Sequence, residues 1–219
     1  MTDAAQAAGL DTGQTVVAAA VASTDPLVIV EGAAGAGKTT MLGIAIEVAA
    51  TDGRASRVVA PRLRAAQVAH QELGVPATSV AALVYAHGWR WNEDGAWTRL
   101  NPGDLDPDTG NIYTGPPRDA VLARGERVIV DEAGILDQDT AHALLAVTAE
   151  EGATVALVGD RTQLPAVGRG GVLDMAAQIR GRTYDMTEFH RFTDPEYAAL
   201  TLAMRDGSTP AKCSTSSPR

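Results

Sequence analysis

The chain has 219 residues, of which 45% are hydrophobic and 21% are charged, and its formal net charge is −9. It is long enough for a sizeable core in one large domain or one and a half, and its acidic balance argues against a protein that holds nucleic acid by bulk electrostatics. The single cysteine, Cys213, excludes an internal disulfide framework. No apolar run approaches the roughly 20 residues that span a bilayer, and the acidic N-terminus does not resemble a signal peptide. We therefore expect a cytoplasmic protein with no membrane contact and no disulfide partner.

Helix and strand signals alternate along most of the chain. The predicted helices are residues 12–24, 38–51, 63–74 (ended by Gly74) and 137–152 (begun by Asp137 and ended by Gly152), and the predicted strands are residues 27–32, 56–61, 127–133 and 154–160. The strand segments are short, β-branched and apolar without alternation, which indicates burial on both faces and hence a parallel sheet. We predict an α/β fold with a doubly wound, mostly parallel sheet and its ligand site at the carboxyl ends of the strands.

Residues 86–126 interrupt this alternation. All three tryptophans, Trp89, Trp91 and Trp97, lie here, ahead of an acidic and turn-rich stretch. We interpret the segment as a small insertion that contains a hairpin. Its tryptophans either anchor the loop on the domain, which we favour, or stack on nucleic-acid bases together with neighbouring arginines. The polar tail, residues 207–219, is predicted to be disordered.

The sequence GAAGAGKT, at positions 32–39, fits the phosphate-binding loop (P-loop) pattern and lies between a predicted strand and a predicted helix. Glycines let successive backbone N–H groups point at phosphate oxygens, and the helix N-terminus adds its positive end. Lysine is rare in this chain, and its compact ammonium reaches the β- and γ-phosphates in a way that a planar guanidinium does not. The threonine hydroxyl would ligate Mg²⁺. The predicted nucleotide-binding residues are Gly32, Gly35, Ala36, Gly37, Lys38, Thr39 and Thr40.

Two acidic residues follow the predicted third strand. Asp131 is placed to hold Mg²⁺ with Thr39, and Glu132 to polarise an attacking water as general base. A small-molecule kinase has no need of the second carboxylate, so the pair favours ATP hydrolysis. After the next strand comes Gln163, whose amide is either a γ-phosphate sensor or an ordinary loop side chain.

Taken in order, the segments EGAAGAGKTT, VVAPRLRAAQ, VIVDEAGILD, VGDRTQLPAVGRGGVL and MTEFHRFTDP resemble the first motor domain of superfamily 1 DNA helicases. Within that superfamily they are most similar to the RecD-like branch and to the helicase half of MobF/TraA-type conjugative relaxases. The resemblance covers residues 8–206 and implies a RecA-like P-loop ATPase domain.

The resemblance also implies roles for individual residues. Gln14 would read the adenine edge, Gln163 would sense the γ-phosphate, and Arg191 would stabilise charge on the transferred phosphoryl group. Pro61 and Arg62 would touch single-stranded DNA. From composition alone, a cluster of four arginines forms either a local basic face or a solvated surface: Arg54, Arg57, Arg62 and Arg64.

In that family a second motor domain follows the first. In this chain the residues from Gly207 onward are instead mostly small and polar. We therefore expect a truncated ATPase that uses ATP and Mg²⁺, binds single-stranded DNA weakly, and does not unwind DNA without a separate second motor domain. The alternative is a non-hydrolysing ATP-binding remnant or a partner-dependent switch module.

Overall fold

The computed structural model describes residues 9–32, 36–161 and 169–186. Its α-helices are α1 (Thr12–Val21), α2 (Lys38–Thr51), α3 (Leu63–Leu73), α4 (Val80–Ala86), α5 (Gln138–Glu151) and α6 (Val172–Arg180), and a 3₁₀ turn covers Ala133–Ile135. Its strands are β1 (Leu27–Gly32), β2 (Ser56–Ala60), β3 (Ala77–Ser79), β4 (Trp89–Trp91), β5 (Trp97–Arg99), β6 (Arg127–Val130), β7 (Thr154–Gly159) and β8 (Tyr184–Met186). Among these residues, no helix has the length and apolar character needed to cross a membrane.

Six strands form one parallel sheet in the order β3-β2-β6-β7-β1-β8. Successive side chains of each central strand alternate between two buried layers. One layer packs against α4, α5 and α6, and the other against α1, α2 and α3. The sheet is therefore covered on both faces, and the predicted α/β doubly wound fold is confirmed.

Helix ends follow the predicted signals. Asp137 accepts a hydrogen bond from the backbone N–H of Thr140 and begins α5. Gly74 and Gly152 end α3 and α5 in the left-handed conformation, at φ 68° for each, which glycine adopts without a side-chain penalty. At α1, Asp11 and Gln14 form a reciprocal capping box.

The third predicted strand is shorter than expected. We predicted a strand over residues 127–133, but β6 ends at Val130 and the chain then turns. Glu132 has a left-handed backbone at φ 57°, which no strand accommodates. The short elements β3, α4, α6 and β8 were not predicted.

Strands β4 and β5 form an antiparallel hairpin, which we call the tryptophan hairpin. Trp89 and Trp97 pack against the core layer that contains α5, while Trp91 is 40% exposed and stacks on Trp97 with ring centroids 4.8 Å apart. Arg90 is buried and donates Nε and Nη2 to the two oxygens of Asp106, at 3.0 and 2.9 Å. Hydrogen bonding to Arg90 holds the pKa of Asp106 well below its usual range. These contacts indicate an anchored hairpin.

Candidate functional site: a pocket at the strand ends

A cavity of about 740 Å³ opens where β1, β2, β6 and β7 end, at the carboxyl edge of the sheet. This is the edge at which open parallel sheets bind ligands. Its lining combines three cationic and four acidic side chains: Lys38, Arg62, Arg64, Glu72, Asp131, Glu132 and Asp160. The predicted phosphate loop and the predicted acidic pair therefore share one cavity.

The phosphate loop leaves β1 at Gly32 and enters α2 at Lys38. Gly37 precedes the helix with φ 74°, a backbone conformation that favours glycine. A Cβ on Gly32 would lie 3.2 Å from the Lys38 side chain, so glycine leaves room for that side chain to fold back. Lys38 Nζ donates to the carbonyl oxygen of Gly32 at 3.1 Å. The ammonium thus bonds the start of the loop and has no carboxylate partner among the described residues.

Residues 33–35 lie outside the part that the structure describes, so the placement of Gly35 is not given. Thr39 and Thr40 are exposed at the start of α2. Thr39 Oγ1 donates to Glu72 Oε2 on α3 at 3.2 Å.

The turn after β6 holds the two acidic residues at the cavity. Asp131 Oδ1 accepts the backbone N–H of Glu132 at 2.9 Å. Glu132 is the one non-glycine residue with positive φ among the described residues. Its Oε2 is buried and has no hydrogen-bond partner there. A strained backbone and an orphaned buried oxygen both cost free energy, and their coincidence is typical of a group kept for a ligand or a reaction.

Close packing fixes this turn against the end of β7. A Cβ on Gly134 would lie 2.5 Å from the carbonyl oxygen of Asp160, and one on Gly159 would lie 2.7 Å from the Gly134 nitrogen. Only glycine permits two backbones to approach so closely. The Glu132 turn thus packs against the end of β7, and Asp160, which follows β7, lines the cavity.

The donor set fits a magnesium–nucleotide complex. Magnesium is commonly bound through one or two protein oxygens together with substrate phosphates and water. Thr39 and Asp131 line the cavity beside Lys38 and would supply those oxygens. Among the described residues, no group of three or more His, Cys, Asp or Glu could hold a metal ion alone.

Gln14 lies elsewhere. It is 4% exposed; its Oε1 accepts the backbone N–H of Asp11 and its Nε2 donates to the carbonyl oxygen of Ala36 at 3.0 Å. Gln14 therefore holds the backbone of the phosphate loop at Ala36, and it does not line the cavity. That Gln14 reads the adenine edge stays a prediction. For that role, its amide would have to give up its hydrogen bond to Asp11 or to Ala36 and bond the base instead.

Arg62 begins α3 and lines the cavity, and Pro61 precedes it at the end of β2. Arg64 lines the cavity as well, and it was singled out in the sequence only as part of an arginine cluster. Gln163 and Arg191 fall outside the described residues, so their predicted roles stay predictions.

Sequence reasoning missed Glu72 and the ion pair between Glu31 and Arg161. Arg161 donates its backbone N–H and its Nε to the two oxygens of Glu31, at 2.9 and 2.8 Å. Nothing local in the sequence identifies this contact, because it depends on β1 and β7 being neighbours.

Residues 9–217, nearly the whole chain, match the AAA domain family. The chain belongs to that family. No curated protein matches this AAA domain protein.

Several solved structures share its fold. The Pif1 helicase from Candida albicans is 18% identical with a TM-score of 0.61, over 92% of this chain and 45% of that one. A structure of two coordinating Pif1 helicases at forked double-stranded DNA is 22% identical with a TM-score of 0.59, over 91% and 49%. Bacteroides sp Pif1 in complex with ADP-AlF4 is 20% identical with a TM-score of 0.55, over 91% and 46%.

The chain thus shares its fold with these helicase structures, as the predicted fold class requires. It spans less than half the length of these helicase chains.

Proposed function

We propose that this AAA domain protein is an ATP-hydrolysing motor domain of the superfamily 1 helicase type, acting on single-stranded DNA. One observation carries the proposal: Glu132 lines the cavity together with Lys38 and Asp131, and its buried Oε2 has no hydrogen-bond partner among the described residues. A carboxylate beside a phosphate loop, with an oxygen left unpaired by the described residues, is suited to activating water.

In the proposed reaction, Lys38 leaves the Gly32 carbonyl and binds the β- and γ-phosphates of ATP. Thr39 and Asp131 would hold Mg²⁺, which would supply positive charge beside the phosphates. Glu132 Oε2 accepts a proton from water as that water attacks the γ-phosphorus, and the bond to the β-phosphate oxygen breaks. The fixed turn gives the carboxylate its orientation before ATP arrives.

Three further roles come from the sequence resemblance and belong to the proposal. Gln163 senses the γ-phosphate, Arg191 stabilises charge on the transferred group, and Gln14 contacts the base. The motif set also favours the RecD-like branch and the helicase half of conjugative relaxases.

Single-stranded DNA would run across the start of α3. Pro61 and Arg62 would contact its phosphates, and Arg64 on the same turn adds a second cation. A separate second motor domain stays part of the proposal as the partner needed for strand separation, because the solved helicase chains are about twice as long.

The test compares ATP turnover by the wild-type chain and by Glu132→Gln, each with and without single-stranded DNA, while calorimetry measures ATP affinity. We expect turnover that DNA stimulates in the wild type, and a variant that keeps its affinity within about twofold but loses turnover by about 100-fold or more, which corresponds to a lost general base.

A parallel loss of affinity and turnover would exclude Glu132 as the base. ATP binding without turnover in the wild type, with or without DNA, would instead favour the non-hydrolysing remnant or a switch that needs a protein partner.

A further inference from the structure

A buried carboxylate lies directly before the phosphate loop. Glu31, at the end of β1, is 7% exposed, and both of its oxygens accept hydrogen bonds from Arg161. One bond comes from the Arg161 backbone N–H and the other from its Nε. Glu31 therefore holds the main chain of Arg161 as well as its side chain.

Phosphate binding does not explain this carboxylate. A buried negative charge beside a site for a polyanion repels the ligand, and its burial is unfavourable unless a cation compensates. Arg161 supplies that cation, and its hydrogen bond to Glu31 raises the pKa of the Arg161 guanidinium. An apolar pair at these positions would stabilise the fold as much as the ion pair does. We therefore look for the role of the ion pair in the positions that it fixes.

A chain of contacts connects Glu31 to the Glu132 turn. Arg161 follows Asp160, which lines the cavity and whose carbonyl oxygen is in close contact with Gly134. Gly134 belongs to the turn that carries Glu132. A displacement of Arg161 would therefore be transmitted through two closely packed backbones to Glu132.

We propose that Glu31 is a positioning residue for the γ-phosphate side of the pocket: by fixing Arg161, it holds the end of β7 and the Glu132 turn in register with β1, the strand that leads into the phosphate loop. The proposal rests on the proposed ATPase function. It predicts a selective effect, because ADP contacts the loop after β1 but leaves the γ-phosphate position empty.

The experiment measures the affinities of ADP and of a non-hydrolysable ATP analogue, each with Mg²⁺, by calorimetry on the full chain. In Glu31→Gln we expect ADP affinity to stay within about twofold, while the preference for the ATP analogue falls by about tenfold, the effect of one lost charge-assisted contact. The matched control is Glu150→Gln, since Glu150 forms a two-oxygen pair with Arg99 away from the cavity. That control should keep the wild-type preference.

An unchanged preference in Glu31→Gln, or an equal loss of both nucleotides, would overturn the inference while leaving the ATPase proposal intact. Where Glu31→Gln does not fold, Arg161→Gln replaces it. That variant keeps the backbone N–H bond to Glu31, and it removes the Nε contact and the 3.6 Å ion pair of Arg161 with Asp174. It should show the same selective fall. A wild-type chain that binds neither nucleotide would overturn the proposed function itself.

Discussion

The cavity and the tryptophan hairpin differ in how their charged side chains are paired. In the hairpin, Arg90 and Arg99 each reach both oxygens of one carboxylate. In the cavity, Lys38 bonds only a carbonyl oxygen and Glu132 leaves one oxygen unpaired within the described residues. Buried polar groups that are fully satisfied hold a structure together, whereas unsatisfied ones need an external partner. The comparison indicates a structural role for the hairpin and a ligand-binding role for the cavity.

An unpaired atom alone does not distinguish the two regions. Trp89 Nε1 in the hairpin is also buried without a partner, as are Ser56 Oγ and Arg127 Nε in the sheet, within the described part of the chain. Glu132 differs because it also has a strained backbone and lines a cavity. The coincidence of these three features marks the site.

The largest expected effect is on the cavity side of the comparison. Replacing Lys38 with alanine removes a charge that bonds the Gly32 carbonyl and has no carboxylate partner among the described residues. We expect ATP affinity to fall by about 10- to 100-fold, since charge-assisted hydrogen bonds contribute about 1.5–3 kcal/mol each. The melting temperature should not change. Calorimetry and thermal unfolding measure the two quantities, and Lys212→Ala is the matched control because it removes the chain's other lysine. Unchanged affinity in Lys38→Ala would contradict the site.

Arg90→Gln tests the hairpin side and should give the opposite result. The substitution leaves the Asp106 carboxylate without its cation, so we expect the melting temperature to fall by several degrees. ATP affinity should be unaffected. A loss of affinity that exceeds the loss of stability would show that the hairpin contributes to nucleotide binding.

The smallest effect is expected at the exposed end of the hairpin. Trp91→Ala removes a ring that is 40% exposed and pairs with the rings of Trp97 and Tyr85, and we expect a stability loss of about 1–2 kcal/mol. Single-stranded DNA affinity, measured by fluorescence anisotropy, should equal that of the wild type if the tryptophans only anchor the hairpin. A clear fall in DNA affinity would favour the base-stacking interpretation.

The sequence predicts best what is local. The phosphate loop and the acidic pair are short contiguous motifs, so both could be found without a structure, and both line one cavity. The predicted length of β6 was wrong, because a glutamate in the sequence gives no indication that its backbone is left-handed. The short strands β3 and β8 carry too few residues for a periodic pattern.

The pair of Glu31 with Arg161 illustrates what sequence alone does not reach. The two residues are distant along the chain and become neighbours only because β7 pairs with β1, where Glu31 lies opposite Gly159. Strand order depends on the packing of both core layers together. The same reason explains why Arg64 and Glu72 were not assigned to the site.

The strand order also has a consequence for synthesis. The strand that precedes the phosphate loop has neighbours that are translated much later: Leu27 pairs with Val155, and Val30 with Tyr184. Until β7 leaves the ribosome, β1 has no partner in the sheet, and the Glu132 turn has no strand end to pack against. Such non-local pairing slows folding and exposes apolar strands to aggregation in the meantime. A nascent chain of this protein would therefore acquire its nucleotide site only after β7 has been translated.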